Sequence, residues 1–269
     1  MYKHLIAGII LSLLLTKHVA ASQETIIFGG NITTDIPPFS WVDKCTGEMD
    51  GVNYHLIRNF FEQQKIKIKI SSPLELNKKN WGIIQQQLDN NEIDGLTAFY
   101  NKNSELLTVA KEPHMVVNSS LFYNKIKLGT LTNLFNFKDL RGLIPLTTPK
   151  FSTQPTYLFA KSAGLNVEKV NSTAEGFRRI IDGEADYLFT THYYGRTTLA
   201  NNPQKELFDY YKIPEMAHSY YLALKPSAKT TDILEKWSQY IIEYKKSGVL
   251  KFLNNSYATK WLKQKTCEK

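Results

Sequence analysis

Rings and hydroxyls gather at a few points of this sequence where a small molecule could be held. Phe39 and Trp41 lie in the turn Pro37-Pro38-Phe39-Ser40-Trp41, just after a strand-like Glu24–Gly29. Rings at the carboxyl end of a first strand suit stacking on an apolar or cationic group, although core packing explains such rings as simply. Tyr100 and Lys102 follow a short strand, Leu96–Phe99, which carries Thr97. A solvated loop is the plainer alternative for Lys102. Ser152 and Thr153 precede a helix starting at Pro155. Their hydroxyls and the neighbouring N–H groups can grip an anion or merely cap the helix. Thr190, Thr191 and His192, with Tyr193 and Tyr194, follow a later strand. His192 there offers a hydrogen bond or a pH-sensitive charge, or else lies on the surface.

Nucleophilic and metal chemistry have less to work with. No Gly-x-Ser-x-Gly elbow and no metal-spaced histidine pair occurs, and His114, His192 and His218 stand apart from one another. The two cysteines, Cys45 and Cys267, have no C-x-x-C spacing, so neither a zinc site nor a redox motif is expected. No cofactor is expected either. The formal net charge is +8, but the lysines are scattered and arginine is scarce, which argues against a nucleic-acid partner.

Lys3, His4, the apolar run Leu5–Leu15 and the small residues Val19-Ala20-Ala21 read as a secretory signal over residues 1–21, cut before Ser22. The run is too short to span a bilayer, which takes ~20 residues; a retained anchor is the alternative. Export to the periplasm follows, and an oxidising compartment makes a Cys45–Cys267 disulfide plausible against two free thiols.

Along the remaining chain, helices alternate with strands: helix Val52–Gln64, strand Ile66–Ser71, helix Trp81–Asn90 and strand Leu96–Phe99. A second such unit runs from Lys138 to Thr190, between strands Val116–Tyr123 and Tyr220–Leu224, and two helices broken at Gly248 end the chain. The pattern predicts an α/β fold with largely parallel, helix-covered sheets. Alternation alone fits one continuous doubly wound sheet as well as two lobes.

Four passages, in order, resemble the extracytoplasmic solute-binding proteins of family 3, the polar amino-acid type. They are the opening Asn31–Ile57; Gln85–Gly95 with Trp81 before it; Phe137–Gly142 with Ser152-Thr153-Gln154; and Ala223–Pro226 with Lys246–Leu250. The resemblance implies a two-lobed type II periplasmic-binding-protein fold with two hinge crossings. Lobe one would take residues 22–120 and 220–269, and lobe two residues 121–219. It implies Trp81 as a ring that stacks on ligand, capture of a small solute by hinge closure, and no catalysis. The expected partner is an ABC permease or, alternatively, a membrane receptor; the family is usually monomeric, and some relatives of the fold are dehydratases. The family's two charged anchors for an α-amino acid are absent. Ser104 stands where an arginine is expected, and Thr191 stands where an aspartate is expected. That departure removes much of the selectivity for an ordinary zwitterion, so the family's standard ligand does not carry over to this chain, and a small polar or aromatic, amino-acid-like solute is expected.

Overall fold

The computed structural model describes residues 25–29, 36–71, 80–100, 102, 104–146, 152, 154–200 and 202–263. The first half contains β1 (Ile26–Gly29), the hairpin β2 (Trp41–Val42) and β3 (Met49–Asp50), and α1 (Val52–Gln63). It continues through β4 (Ile68–Ile70), α2 (Asn80–Asp89), β5 (Gly95–Phe99) and β6 (Thr108–Val109). Strand β7 (Met115–Asn124) leads out of it into a one-turn α3 (Lys125–Leu128). The second half alternates β8 (Gly142–Pro145), α4 (Pro155–Ser162), β9 (Val167–Val170), α5 (Thr173–Ile181), β10 (Tyr187–Thr191) and α6 (His192–Ala200). The long β11 (Phe208–Leu224) returns, and α7 (Thr230–Lys246) and α8 (Val249–Leu262) close the described chain.

Side-chain pattern explains the main elements. Val52, Leu56, Ile57, Phe60 and Phe61 recur on one face of α1 and are all buried, the spacing of a helix laid on a core. In Lys65–Lys69 the isoleucines turn inward while the lysines stay exposed, as a strand's period of two requires. Helix α5 starts at Ser172, whose hydroxyl accepts from the Glu175 N–H at 3.1 Å.

The strands join in the order β4-β1-β5-β11-β7-β10-β8-β9, with β6 also paired to β11. Strands β4, β1 and β5 are mutually parallel, as are β10, β8 and β9. Between these two blocks run β7 and β11, antiparallel to each other and to the neighbour on either side. Each block carries its own apolar core. Phe28, Leu56, Phe60, Trp237 and Ile241 belong to the first block's core. The second block packs Leu121, Phe137 and Phe189 in one cluster and Phe122, Leu143 and Phe177 in another.

Two elements differ from the sequence expectation. The return strand begins at Phe208, well before Tyr220, and α6 follows β10 directly. Pro214 and the polar residues around it hide the longer strand from a periodicity reading. The pairing of β11 with β7 shifts register between Ile213 and His218, which includes Pro214, so a residue without an N–H falls outside the regular ladder. The Cys267 end of the expected disulfide lies outside the described residues, as does the expected signal segment.

Two buried ionisable groups tie the fold to pH. His114 is buried, with Nε2 2.8 Å from Asn53 Oδ1 and its ring edge-on to Trp237 at 5.3 Å. Burial, with Lys245 adding to it, pushes its pKa down to about 3. The unfolded chain therefore takes up a proton that the folded chain refuses. His114 costs no stability above the ordinary histidine range and costs progressively more as pH falls towards 3. His114→Gln should lower stability at pH 7 by about 1–3 kcal/mol through the disturbed hydrogen bonding. It should also give a shallower loss between pH 7 and pH 4 than the parent, measured by urea unfolding; parallel curves would refute the assignment.

Asp186 joins the second block's strands at their starts. It accepts from the Arg141 backbone N–H at 2.9 Å, the Arg141 Nε at 3.1 Å and the Lys127 Nζ at 2.9 Å. Partial burial pushes its carboxyl up, but those charge-assisted bonds prevail and hold it well below the usual carboxylate range. Its contribution is present above the ordinary carboxylate range and is lost as pH falls below it. Asp186→Asn should destabilise the fold by about 1.5–3 kcal/mol at pH 7. The difference should shrink in acid, in the same unfolding experiment.

Candidate functional site

The residues that bring the two halves into contact centre on the opening turn. Ile36 N–H donates to Ser40 O at 2.7 Å, closing the turn. The first amides of α1 then hold it, Val52 N–H donating to Pro38 O and Asn53 N–H to Phe39 O, each at 3.0 Å. These are amides that a helix start leaves without intrahelical partners. Gly51 permits the approach: its φ is +119°, and a Cβ there would lie 2.3 Å from Phe39 O. Phe39 is thereby aimed at Met115 and Val117 on β7, and the cluster also takes in Ile36, Ala98, Tyr193 and Tyr220. Its ring meets Tyr193 edge-on at 5.3 Å. Phe39 lies between β1 and β4 of the first block, and Tyr193 is the second residue of α6 in the second block, so the pair bridges them.

Tyr100 lies just past β5 and is exposed, with its ring 6.1 Å from Phe99. Burial, with the Tyr100 phenol nearby, raises the pKa of Tyr220. Burial also raises that of Tyr193, which Arg196 opposes. Both phenols therefore stay neutral donors at ordinary pH. Lys102 Nζ sits 4.3 Å above the Tyr221 ring, a cation–π contact that orders the side chain and leaves its charge available.

Other expected site residues have different surroundings. Trp41 has no exposed surface; its ring lies 6.0 Å from Tyr257 of α8. Thr97 is buried on β5, and its hydroxyl is bonded to the Tyr54 phenol. Thr190 is buried, its Oγ1 3.5 Å from that of Thr173. Thr191 is half-buried at the end of β10, opposite Ser119. His192 is buried: Nδ1 lies 3.1 Å from Ser120 Oγ, and its ring packs on Phe122 and Tyr210 at 6.2 and 4.5 Å. Burial, then Lys212 and Arg196, push its pKa down to about 4, so it is neutral in the folded protein. Ser152 is exposed. Thr153 and the Trp81 side chain lie outside the described residues.

Ser104, at the expected arginine position, accepts from the Leu106 and Leu107 amides, both at 3.2 Å, and so serves its own loop. Tyr220, Met115 and Val117 were missed as site residues. Their only sequence signal was membership of the two strands that flank the second α/β unit.

Among the described residues, two hollows lie elsewhere. One of about 570 Å³ separates α1 from α7 and includes Gln63, Lys111 and Glu235; another of about 460 Å³ lies beside β3 and β4. Neither includes a candidate residue. No helix of the described residues is long and apolar enough to cross a membrane, and no cluster of described residues could hold a metal.

No protein-family model and no curated protein sequence matches the chain. Solved structures do. The L-cystine solute receptor of Neisseria gonorrhoeae in its unliganded open conformation is 17% identical with a TM-score of 0.67, covering 91% of this chain and 96% of that one. An ancestral cationic amino acid solute-binding protein is 15% identical with a TM-score of 0.63, covering 87% and 95%. A histidine kinase sensor domain with similarity to periplasmic binding proteins is 17% identical with a TM-score of 0.54, covering 87% and 96%. The two cores, the two crossing strands and these likenesses agree: the chain has the two-lobed type II periplasmic-binding-protein fold.

Proposed function

We propose that this chain is an exported solute-binding protein that captures a small, amino-acid-like or aromatic solute between its lobes. The observation that carries the proposal is the contact of Phe39 with Tyr193 beside the two crossing strands. Aromatic side chains from both lobes meet there. A ligand touching both is held best when the lobes close, and that difference in affinity shifts an open–closed equilibrium. The lobe limits 22–120, 121–219 and 220–269 belong to this proposal. So do periplasmic location, a monomeric state and delivery to an ABC permease.

The ligand is not expected to be gripped as an ordinary α-amino acid. Ser104 and Thr191 are both neutral, so a charged pair that would hold carboxylate and ammonium is missing from those positions. Tyr100, Tyr193 and Tyr220 offer ring faces and phenol hydrogen bonds, the buried Phe39 supports them from beneath, and Lys102 offers a positive charge. The likeness to a kinase sensor domain favours a second use of the same capture, with the closed form read by a membrane receptor. In both uses the solute is returned unchanged.

A thermal-shift panel of amino acids, organic acids, polyamines and aromatic metabolites tests the proposal. A true ligand at a hundredfold excess over its Kd should stabilise the fold by ~2.7 kcal/mol. Tyr193→Ala should weaken that ligand's binding about 2- to 10-fold, the worth of an aromatic contact. Mass spectrometry of the recovered ligand should show it unaltered. Tight binding of a common L-amino acid would show that residues other than those at 104 and 191 grip the zwitterion. Chemical conversion of the bound solute would overturn the non-enzymatic assignment.

A further inference from the structure

Arg58, Arg141, Arg178 and Arg179 each hold a group of the protein itself. Arg58 donates to the Met49 carbonyl at 2.9 Å, Arg141 pairs with Asp186, Arg178 with Asp182, and Arg179 with both Glu168 and Glu184. Arg196 differs from them. It is exposed on α6 and has no hydrogen-bond or ion-pair partner among the described residues. A guanidinium presents its donors in a flat fork that fits a carboxylate, so an arginine left open suits an anion from outside.

The place of Arg196 in the fold makes that anion a ligand of the site between the lobes. Arg196 follows Tyr193 by three positions in α6, which puts the two on one side of the helix. Tyr193 in turn meets Phe39 of the first lobe at 5.3 Å. Burial raises the pKa of Tyr193 and the Arg196 charge opposes it, while at His192 burial, then Lys212, then Arg196 all act downward. No described carboxylate acts on Tyr193, His192 or Tyr220.

Rings alone would also suit an organic cation. A permanent positive charge beside them, with no carboxylate to offset it, decides against a cation and equally against an ammonium group on the ligand. The phenols of Tyr193 and Tyr220, kept protonated by burial, donate hydrogen bonds and add to the preference for an acceptor. Shape is thus selected by the rings and the aliphatic side chains around them, and the sign of the ligand's charge by Arg196.

We propose, on the reading that the lobes capture a solute, that this solute is an aromatic organic acid without an ammonium group, its carboxylate paired with Arg196 and its ring set against Tyr193. Arg196 is then the residue that determines specificity for charge.

Four probes with the same ring and different charge test it by calorimetric titration of the purified chain at pH 7: 4-hydroxyphenylacetate, 4-hydroxyphenylethanol, tyramine and tyrosine. The acid should bind ~10-fold or more tightly than the neutral alcohol, and tyramine and tyrosine more weakly than either. Arg196→Gln should bring the acid within about 2-fold of the alcohol and leave the alcohol's affinity unchanged, which separates lost charge from lost fold. Tyramine or tyrosine as the tightest probe, or an acid–alcohol gap that persists in the variant, would overturn the assignment and leave solute capture in place. So would failure of all four probes while another solute of the thermal-shift panel binds. A chain that binds none of these probes and no panel solute would overturn both readings.

Discussion

The ladder between β7 and β11 is the constraint on which the rest of the molecule depends. From Phe208 opposite Asn124 to Ile213 opposite Ser119 the two strands are in steady register, and from His218 opposite Val117 to Tyr220 opposite Met115 they are so again. Between these stretches the register slips, and Pro214 lies in the slipped segment. Backbone hydrogen bonds resist shear and stretching within each stretch. The interval has fewer such restraints, and bending concentrates where they are fewest. Each half of β11 is also a structural strand of its own block, so any flexure in the interval moves a whole core rather than a loop.

Around that joint, charge is used for architecture and aromatic surface is left for contact. Asp186 is surrounded by Arg141 and Lys127 at strand starts, and Lys245 bonds Glu112 and the Pro113 carbonyl near the point where the chain enters β7. The buried His114 and His192 are both held neutral. Near the Phe39–Tyr193 bridge, by contrast, one phenyl ring and the phenols of Tyr193 and Tyr220 lie among the aliphatic side chains of Ile36, Ala98, Met115 and Val117. Such surfaces discriminate by shape and ring stacking more than by charge.

Much of the fold was legible in the sequence because its signals are local. The apolar face of α1, the alternation at Lys65–Lys69 and the break at Gly248 each follow from neighbouring residues alone. The true start of β11 was hidden, since a proline and several charges are tolerated where the register slips. The site was less legible. Phe39 could be picked out from its turn, but Trp41 lies beyond that turn at the start of β2, where it is wholly buried under Tyr257. His192 was offered for ligand contact on the strength of its position after a strand. The helix that starts at this residue turns the ring onto Phe122 and Tyr210 instead. Tyr220 acquires its importance only from the partner strand beside it, which no local pattern encodes.

The closing contacts of the first lobe come from both ends of the chain. Lys260 of α8 pairs with Asp50 at 2.6 Å, Tyr257 covers Trp41, and Asn59 donates to both Tyr240 and Tyr244 at 2.9 Å. The second lobe is mostly one continuous stretch, from the end of β7 to the beginning of β11. A chain delivered amino end first can therefore assemble most of its second lobe while the first still lacks its last two helices. The early hairpin and α1 must wait, with Trp41 and Phe60 uncovered, until the final segment arrives. In order of maturation, the domain that begins the sequence is the last to be finished.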